Sequence, residues 1–178
     1  MSGAPSHLLV LGGARSGKSR YAQERAEALE GELVYVATAQ AFDEEMRERI
    51  ALHRADRGSR WSTIEAPLEL ADAITASSTP QTVVVVDCLT LWASNLILAE
   101  SDISAATERL LRAIAGAQGT IILVANEVGL GIVPDNALAR RFRDVAGKIN
   151  QGVAAAVGEA VLVVAGLPLW LKELRPFA

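Results

Sequence analysis

The chain has 178 residues, of which 51% are hydrophobic and 4% aromatic, so its size and composition suit one compact domain (1–178) with a core of Ala, Val, Leu and Ile. The formal net charge of −4 argues against a nucleic-acid partner, because binding to a phosphate backbone usually requires clustered Lys and Arg. No apolar run approaches the roughly 20 residues that span a bilayer, and the N-terminus lacks a signal-peptide pattern, so we expect no membrane insertion.

The first predicted elements are a short apolar strand over residues 8–11, a glycine-rich loop and a helix over residues 20–29. The loop fits the phosphate-binding pattern G-x-x-x-x-G-K-[ST] with Gly12, Gly13, Ala14, Arg15, Ser16, Gly17, Lys18 and Ser19. In such a loop the backbone N–H groups curl around a polyphosphate, and the helix N-terminus adds partial positive charge. Lys18 would reach the β- and γ-phosphates, and the Ser19 hydroxyl would hold Mg²⁺. The order strand, loop, helix favours a nucleoside triphosphate site over a turn that merely caps a helix.

Strands and helices alternate along the rest of the chain. The predicted strands cover residues 33–38, 83–87, 120–125 and 160–164, with a candidate edge strand at 169–174. The predicted helices cover residues 43–57, 67–76, 103–117 and 137–157. The strands are continuous β-branched runs, which is typical of parallel strands covered by helices on both faces. The sequence therefore predicts a three-layer α/β fold of the P-loop NTPase type with a mainly parallel central sheet.

The strand over residues 83–87 ends in Asp87, as a Walker B element does, and this carboxylate would hold Mg²⁺ directly or through water. Many parallel strands end in Asp because it caps the next helix, so the assignment depends on the phosphate loop in the same chain. Leu91 and Trp92 on the following helix are interpreted as packing residues. The single cysteine, Cys88, has no metal-ligand spacing around it, so we expect a buried side chain and a reduced, cytoplasmic setting.

The two histidines differ in their surroundings. His7 precedes the first strand without a partner motif, and we expect it to be solvated or at an edge. His53 lies on the predicted helix 43–57, between Arg49 and Arg57 at one-turn spacings. Positive charge nearby would favour a neutral imidazole with a free ring nitrogen, and the arginines could hold phosphates by bidentate hydrogen bonds. The residues alone leave open that this helix is simply exposed and charged.

Several collinear blocks of sequence run nearly from one end of the chain to the other. They are the phosphate loop 12–19, the segment 35–40 (YVATAQ), Arg49-Ile50 with His53-Arg54, the segments 61–65 (WSTIE) and 126–134 (NEVGLGIVP), and the segment 141–151 (RFRDVAGKINQ). Together they resemble the bifunctional adenosylcobinamide kinase / adenosylcobinamide-phosphate guanylyltransferase family of cobalamin biosynthesis. Some relatives have two adjacent histidines where this chain has Leu52-His53, so His53 is the remaining nucleophile candidate.

The resemblance implies two reactions. A nucleoside triphosphate, ATP or GTP, phosphorylates the aminopropanol hydroxyl of adenosylcobinamide. GTP then guanylylates the new phosphate through a covalent GMP-histidine, giving adenosyl-GDP-cobinamide. The partners implied are a corrinoid and a nucleotide, with Mg²⁺ as cofactor, and the family's members are homotrimers.

The same resemblance assigns roles to particular residues. Lys18, Ser19 and Asp87 would hold the triphosphate and Mg²⁺, while a ring nitrogen of His53 would attack the α-phosphorus and expel pyrophosphate. The nucleotide site would also include Ala37, Thr38, Ala39, Arg54, Ala55, Asp56, Arg57 and Glu65. Glu65 could accept hydrogen bonds from guanine N1–H and N2–H₂, although a capping or surface role explains it nearly as well.

The segment 126–134 follows a predicted strand, so it opens at the carboxyl edge of the sheet. Its glycines indicate a mobile or tightly turned segment, which either covers a substrate or forms a structural turn before a helix that starts at Pro134-Asp135. The next helix contains Arg140, Arg141 and Arg143, which could face the corrinoid or a neighbouring subunit.

Two other classes of protein use a phosphate loop. A regulatory GTPase needs D-x-x-G and N-K-x-D, but the corresponding strands here are followed by Asp87-Cys88-Leu89-Thr90 and Asn126-Glu127-Val128-Gly129, so both motifs are missing. A kinase for another small molecule, without nucleotidyl transfer, is the alternative that remains. It would leave His53 without a role.

Overall fold

The computed structural model describes residues 6–40 and 58–173, and in these ranges the chain forms seven strands and five helices. The strands are β1 (Leu8–Gly12), β2 (Glu32–Ala37), β3 (Trp61–Glu65), β4 (Thr82–Asp87), β5 (Thr120–Asn126), β6 (Glu159–Val164) and β7 (Leu167–Lys172). The helices are α1 (Lys18–Glu27), α2 (Leu70–Ser77), α3 (Leu89–Leu98), α4 (Ile103–Ala115) and α5 (Ala137–Ala156). The predicted helix 43–57 lies outside the described residues. No helix in the described part of the chain is both long and apolar enough to cross a bilayer.

The strands form one sheet in the order β3-β2-β4-β5-β1-β6-β7. All neighbouring pairs are parallel except β6 and β7, which form an antiparallel hairpin at one end of the sheet. The predicted edge strand is therefore confirmed as β7. Because the first six strands run the same way, their C-terminal ends meet at one side of the sheet, which we call the carboxyl edge. β5 lies between β1 and β4, so the strand that precedes the phosphate loop is not adjacent to the strand that ends in Asp87.

Alternation along the strands divides the core into two apolar layers. One layer packs on α1 and includes Leu8, Val10, Val83, Val85, Ile122 and Val124 with Ala22 and Ala26. The other layer packs on helices α2 to α5 and includes Leu9, Val84, Val86, Ile121 and Leu123 with Trp92, Leu110, Ile149 and Val153. A strand covered on both faces needs apolar residues at every position, which explains the continuous runs in the sequence. The predicted three-layer, mainly parallel architecture is confirmed.

β3 and α3 were the elements least visible in the sequence. β3 pairs with β2 at the other end of the sheet, and none of its five residues is buried, so it lacks a continuous apolar run. In α3, Trp92 is 1% exposed, as expected for a packing residue. The same expectation was wrong for Leu91, which is 36% exposed because it points away from the core that Trp92 fills.

His7 is buried, so the expectation of a solvated or edge histidine was wrong. Its side chain is 9% exposed, and its Nδ1 accepts a hydrogen bond from the backbone N–H of Ile121 at 3.2 Å. The carbonyl oxygen of His7 accepts a hydrogen bond from the N–H of Glu159, at the start of β6. His7 is therefore bonded to β5 on one side and to β6 on the other. Burial lowers the pKa of the imidazole below its ordinary value, and a backbone hydrogen bond at Ile114 opposes this only partly.

Candidate active site at the carboxyl edge of the sheet

The phosphate loop joins β1 to α1 as the pattern predicts. Gly17 occupies the N-cap position of α1 with a φ of 93°, a left-handed conformation that glycine adopts without steric cost. The backbone N–H of Ser16 donates to the carbonyl oxygen of Gly13 at 3.3 Å, and the Nζ of Lys18 donates to the same oxygen at 3.1 Å. The ammonium group of Lys18 therefore lies against the loop, next to the free N–H groups at the start of α1.

The hairpin between β6 and β7 supports this loop from outside. Its turn consists of Ala165 and Gly166, both with positive φ, as a two-residue hairpin turn requires. The N–H of Gly166 donates to the carbonyl oxygen of Ser16 at 2.8 Å. A Cβ atom on Gly17 would lie 3.2 Å from the Cα of Gly166, so the two segments are in close contact.

The end of β4 is fixed by β2. Asp87 is half-buried and has the same side-chain direction as Val83 and Val85, which face α1. The next residue, Cys88, is held by the buried hydroxyl of Thr38, which donates to its carbonyl oxygen at 2.7 Å and accepts from its N–H at 2.8 Å. Cys88 is buried as expected. Burial, with the negative charge of Asp87, raises the pKa of its thiol, so the side chain is neutral at physiological pH.

Helix α3 lies along the carboxyl edge and connects several strand ends. The Nδ2 of Asn95 donates to the carbonyl oxygens of Thr38 at 2.8 Å and of Pro67 at 2.9 Å. The hydroxyl oxygen of Thr90 accepts a hydrogen bond from the N–H of Asn126, at the end of β5, at 2.6 Å. Neither residue was predicted from the sequence to belong to the site. The available signal was the presence of three polar side chains in an otherwise apolar helix, Thr90, Ser94 and Asn95. Thr90 and Asn95 are buried because they bind backbone groups of the edge.

The end of β5 lies between the phosphate loop and Asp87. In the register of the sheet, Asn126 pairs with Gly12, and Val124 pairs with Asp87. The N–H of Glu127 donates to the carbonyl oxygen of Gly12 at 3.1 Å. The Oδ1 of Asn126 and the Oγ of Ser16 are buried, and neither has a hydrogen-bond partner among the residues that the structure describes. Sequence reasoning gave Asn126 no role beyond a place in a motif block.

The segment between β5 and α5 is held by hydrogen bonds within itself and to the start of α5. The carboxylate of Glu127 accepts a hydrogen bond from the N–H of Gly129 at 2.6 Å. The guanidinium of Arg140 donates to the carbonyl oxygens of Pro134 and Asp135 at 2.9 and 2.6 Å, so it is used within its own chain. The Oδ1 of Asn136 accepts from two N–H groups of the first turn of α5, so the helix begins after Asn136 instead of at Pro134-Asp135.

Apolar side chains at the tip of this segment are in contact with solvent. Leu130, Ile132 and Val133 are all exposed, and the exposed fraction of Ile132 reaches 98%. A groove of about 360 Å³ lies between α3 and the start of α5, which follows this segment in the chain. Its lining is mostly apolar and consists of Ser94, Ile97, Leu98, Asn136, Leu138, Ala139 and Phe142.

The other predicted nucleotide-binding residues divide into two groups. Sheet register aligns Glu65, Ala37 and Asp87 side by side across β3, β2 and β4, and Thr38 and Ala39 follow directly. The structure thus brings these residues to the same edge as the phosphate loop. The second group is His53, Arg54, Ala55, Asp56 and Arg57, and it lies outside the described residues.

Solved structures with a similar fold include the RadB recombinase and the ATPase EscN of the enteropathogenic E. coli type III secretion system. RadB has a TM-score of 0.53 at 17% identity, with 89% of this chain and 74% of that chain covered. EscN has a TM-score of 0.55 at 14% identity, with coverage of 92% and 44%. At these identities the likeness shows the fold alone, and it confirms the predicted P-loop NTPase fold.

Sequence relatives are much closer. The family model described as cobinamide kinase / cobinamide phosphate guanyltransferase matches residues 8–171. The bifunctional adenosylcobalamin biosynthesis protein CobP of Pseudomonas aeruginosa is 46% identical, with 92% of this chain and 96% of the relative covered. CobU of Escherichia coli, which has the same description, is 41% identical, with coverage of 93% and 99%. The resemblance seen in the motif blocks is confirmed, and the chain belongs to the cobinamide kinase / cobinamide phosphate guanyltransferase family.

Proposed function

We propose that the chain phosphorylates the aminopropanol hydroxyl of adenosylcobinamide with a nucleoside triphosphate, ATP or GTP. It then transfers GMP from GTP to the new phosphate through a covalent GMP-histidine. The observation that supports this best is the phosphate loop, placed with Asp87 on one edge and one face of the sheet in a chain that matches the family from residue 8 to 171. The family match does not favour the alternative, a kinase for another small molecule.

In the first reaction the hydroxyl oxygen of the corrinoid attacks the γ-phosphorus and loses its proton to solvent. The bond from this phosphorus to the β–γ bridging oxygen breaks, and the nucleoside diphosphate leaves. Such a transfer depends mainly on positioning and on compensation of negative charge. Lys18 and the N–H groups at the start of α1 supply fixed positive charge for the triphosphate. Lys18 and these N–H groups would act in both reactions if the same loop binds the nucleotide in both.

Mg²⁺ would neutralise charge on the phosphates, and the edge offers suitable oxygen donors. The carboxylate of Asp87 is half-buried at the end of β4, and Ser19 lies in the first turn of α1. The described residues contain no group of three or more His, Cys, Asp or Glu side chains that could enclose a metal. A magnesium ion would therefore be shared between these two residues, phosphate oxygens and water, as is usual for this ion.

In the second reaction a ring nitrogen of His53 attacks the α-phosphorus of GTP, and pyrophosphate leaves. An oxygen of the corrinoid phosphate then attacks the same phosphorus, which forms adenosyl-GDP-cobinamide and releases the histidine. This acceptor is already an oxyanion, so it needs no base to remove a proton. The role of His53, and of Arg54 to Arg57 beside the transferred phosphoryl group, rests on the sequence blocks.

The corrinoid would approach from the side of the β5–α5 segment. The exposed side chains Leu130, Ile132 and Val133 and the groove beside α3 offer apolar area at the same edge as the phosphate loop. We also expect a homotrimer in the cytoplasm. The exposed leucines of β7, which are Leu167, Leu169 and Leu171, form an apolar row that a second copy could cover.

Labelling of the covalent intermediate tests the proposed function. With GTP labelled at the α-phosphorus, the wild-type protein should retain label that resists alkali and is released by acid, as a phosphoramidate does. His53→Ala should lose this adduct and guanylyl transfer but retain most kinase activity, whereas His7→Gln, a change at the other histidine, should retain the adduct. Wild-type protein without any adduct would instead support the simple kinase.

A further inference from the structure

The first half of α5 projects beyond the carboxyl edge of the sheet. Glu159, shortly after the end of α5, pairs with Leu8, the first residue of β1, and so lies at the opposite edge. Asn150 is already level with the carboxyl edge, since its Nδ2 donates to the carbonyl oxygen of Asn126, the last residue of β5, at 3.5 Å. With a rise of about 1.5 Å per residue, the helical residues 137–149 therefore extend up to about 20 Å past the strand ends.

Arg143 lies on the side of this projecting half that faces the end of β5. It precedes Asn150 by two helical turns, so the two side chains leave the helix within about 20° of each other. The backbone of Arg143 is roughly 10 Å further along the helix from the edge than that of Asn150. Leu138 and Phe142, which line the apolar groove against α3, leave the helix on a neighbouring side.

The guanidinium of Arg143 has unused hydrogen-bond donors. Its side chain is mostly covered, with an exposed fraction of 22%. Within residues 6–40 and 58–173 its only polar contact joins its Nε to the Oδ1 of Asp144 at 3.9 Å, which is too long for a hydrogen bond. A guanidinium carries five N–H donors in a planar fork that matches a phosphate group. A mostly covered cation with open donors indicates a site that an anion completes.

The two other arginines of α5 do not share this arrangement. Arg140 donates to the carbonyl oxygens of Pro134 and Asp135, so its guanidinium is already bound. Arg141 is exposed, and it lies about 160° around the helix from Arg143 because two residues turn the chain by about 200°. Arg143 is therefore the arginine of this helix that is suited to a ligand beyond the edge.

The neighbouring surfaces determine which anion fits. The phosphates of a nucleotide would be bound by Lys18 and the start of α1, at the level of the loop itself. The elements that adjoin the projecting half of α5 are apolar instead, since the preceding segment exposes Leu130, Ile132 and Val133 and the groove lies against α3. A ligand for this place has a large apolar body and one anionic group. We propose that Arg143 binds the phosphate of adenosylcobinamide phosphate, the product of the first reaction and the acceptor of the second.

This inference rests on the proposed function, because it takes the phosphorylated corrinoid as the ligand. It predicts that Arg143 distinguishes the phosphorylated corrinoid from the unphosphorylated one. Arg143→Gln removes the charge but keeps a polar side chain, and Arg143→Lys keeps the charge but loses the planar fork. Arg141→Gln is the matched control, since it makes the same change on the other side of the helix.

The test compares the two acceptors in steady-state kinetics of the full chain. The kinase reaction is assayed with adenosylcobinamide, and guanylyl transfer is assayed with adenosylcobinamide phosphate. Arg143→Gln should raise the KM for the phosphorylated corrinoid by about 10- to 100-fold and that for the unphosphorylated corrinoid by less than about threefold, as expected for loss of hydrogen bonds between charged groups. Arg143→Lys should show the same selectivity with a smaller rise, and Arg141→Gln should change neither KM.

Formation of the GMP adduct separates this inference from the proposed function. Arg143→Gln should form the adduct as the wild type does, since no corrinoid takes part in that step. Equal rises in the two KM values, or no rise for the phosphorylated corrinoid, would overturn the role of Arg143 and leave the proposed function intact. If Arg143→Gln does not fold, as judged by its melting temperature, the same comparison with Arg143→Lys decides. Wild-type protein with neither activity would overturn the proposed function and the inference with it.

Discussion

The loop after β1 and the segment after β5 leave the same edge of the sheet from neighbouring strands, yet their surfaces differ in chemistry. The phosphate loop is short, is bonded through its backbone to the β6–β7 hairpin and to Glu127, and presents N–H groups and one lysine. The segment from Glu127 to Asn136 is bonded mainly within itself and exposes apolar side chains. One edge thus offers a polar surface suited to phosphates beside an apolar surface suited to a large organic acceptor.

The largest expected effect comes from removing the charge of the polar surface. Lys18→Ala should depress kinase and guanylyl transfer activity together by about 10²-fold or more, which corresponds to about 2.7 kcal/mol of transition-state stabilisation. Steady-state rates for both reactions provide the measurement. Lys148→Ala, which removes an exposed lysine of α5, is the matched control and should retain both activities. Normal rates for either reaction in Lys18→Ala would mean that a second nucleotide site exists.

A smaller effect should follow from changing the apolar surface. Ile132→Ser should raise the KM for the corrinoid by about 3- to 10-fold, since partial burial of this side chain contributes about 1 kcal/mol. The affinity for nucleotide should not change, because the polar surface is intact. Leu29→Ser, the same kind of change just after the end of α1, should leave the KM unaltered. If the KM of Ile132→Ser matched that of the wild type, the segment would be a structural turn before α5.

The smallest effect concerns His7, which lies below the site between β5 and β6. Burial lowers its pKa in the folded protein relative to the unfolded chain, so the folded state binds fewer protons. The stability that this histidine contributes is complete above the ordinary pKa of about 6.5 and is lost as the pH falls below it. The melting temperature of His7→Gln should therefore fall less between pH 7.5 and pH 5 than that of the wild type. An equal fall in both proteins would contradict the lowered pKa, because it would show that His7 binds protons equally in the folded and unfolded states.

The phosphate loop, Asp87 and the parallel sheet could be predicted because each depends on local pattern. Continuous apolar strands and a loop motif are properties of adjacent residues, so they are visible without the fold. His7 was misjudged for the opposite reason, since its burial comes from strands more than 100 residues away. β3 was missed because an edge strand with three of its five residues exposed has no continuous apolar run.

Asn126 shows the limit of such reasoning for the site. Its place in the site depends on strand order, because β5 comes to lie between β1 and β4 only after the four crossover connections that join β1 to β5. The spacing of residues in the sequence does not show that β1, β5 and β4 are neighbours in the sheet. Asn95 and Thr90 were missed similarly, since their partners are backbone groups of distant strand ends.

The contact between Gly166 and Ser16 gives the last hairpin a part in ligand binding. A motif of eight residues acquires one of its walls from a turn about 150 positions later in the chain. If nucleotide binding stabilises this contact, the contact strengthens nucleotide binding by the same factor, because coupling between two sites is reciprocal. Through this contact, nucleotide occupancy of the loop and the stability of the β6–β7 hairpin would each affect the other.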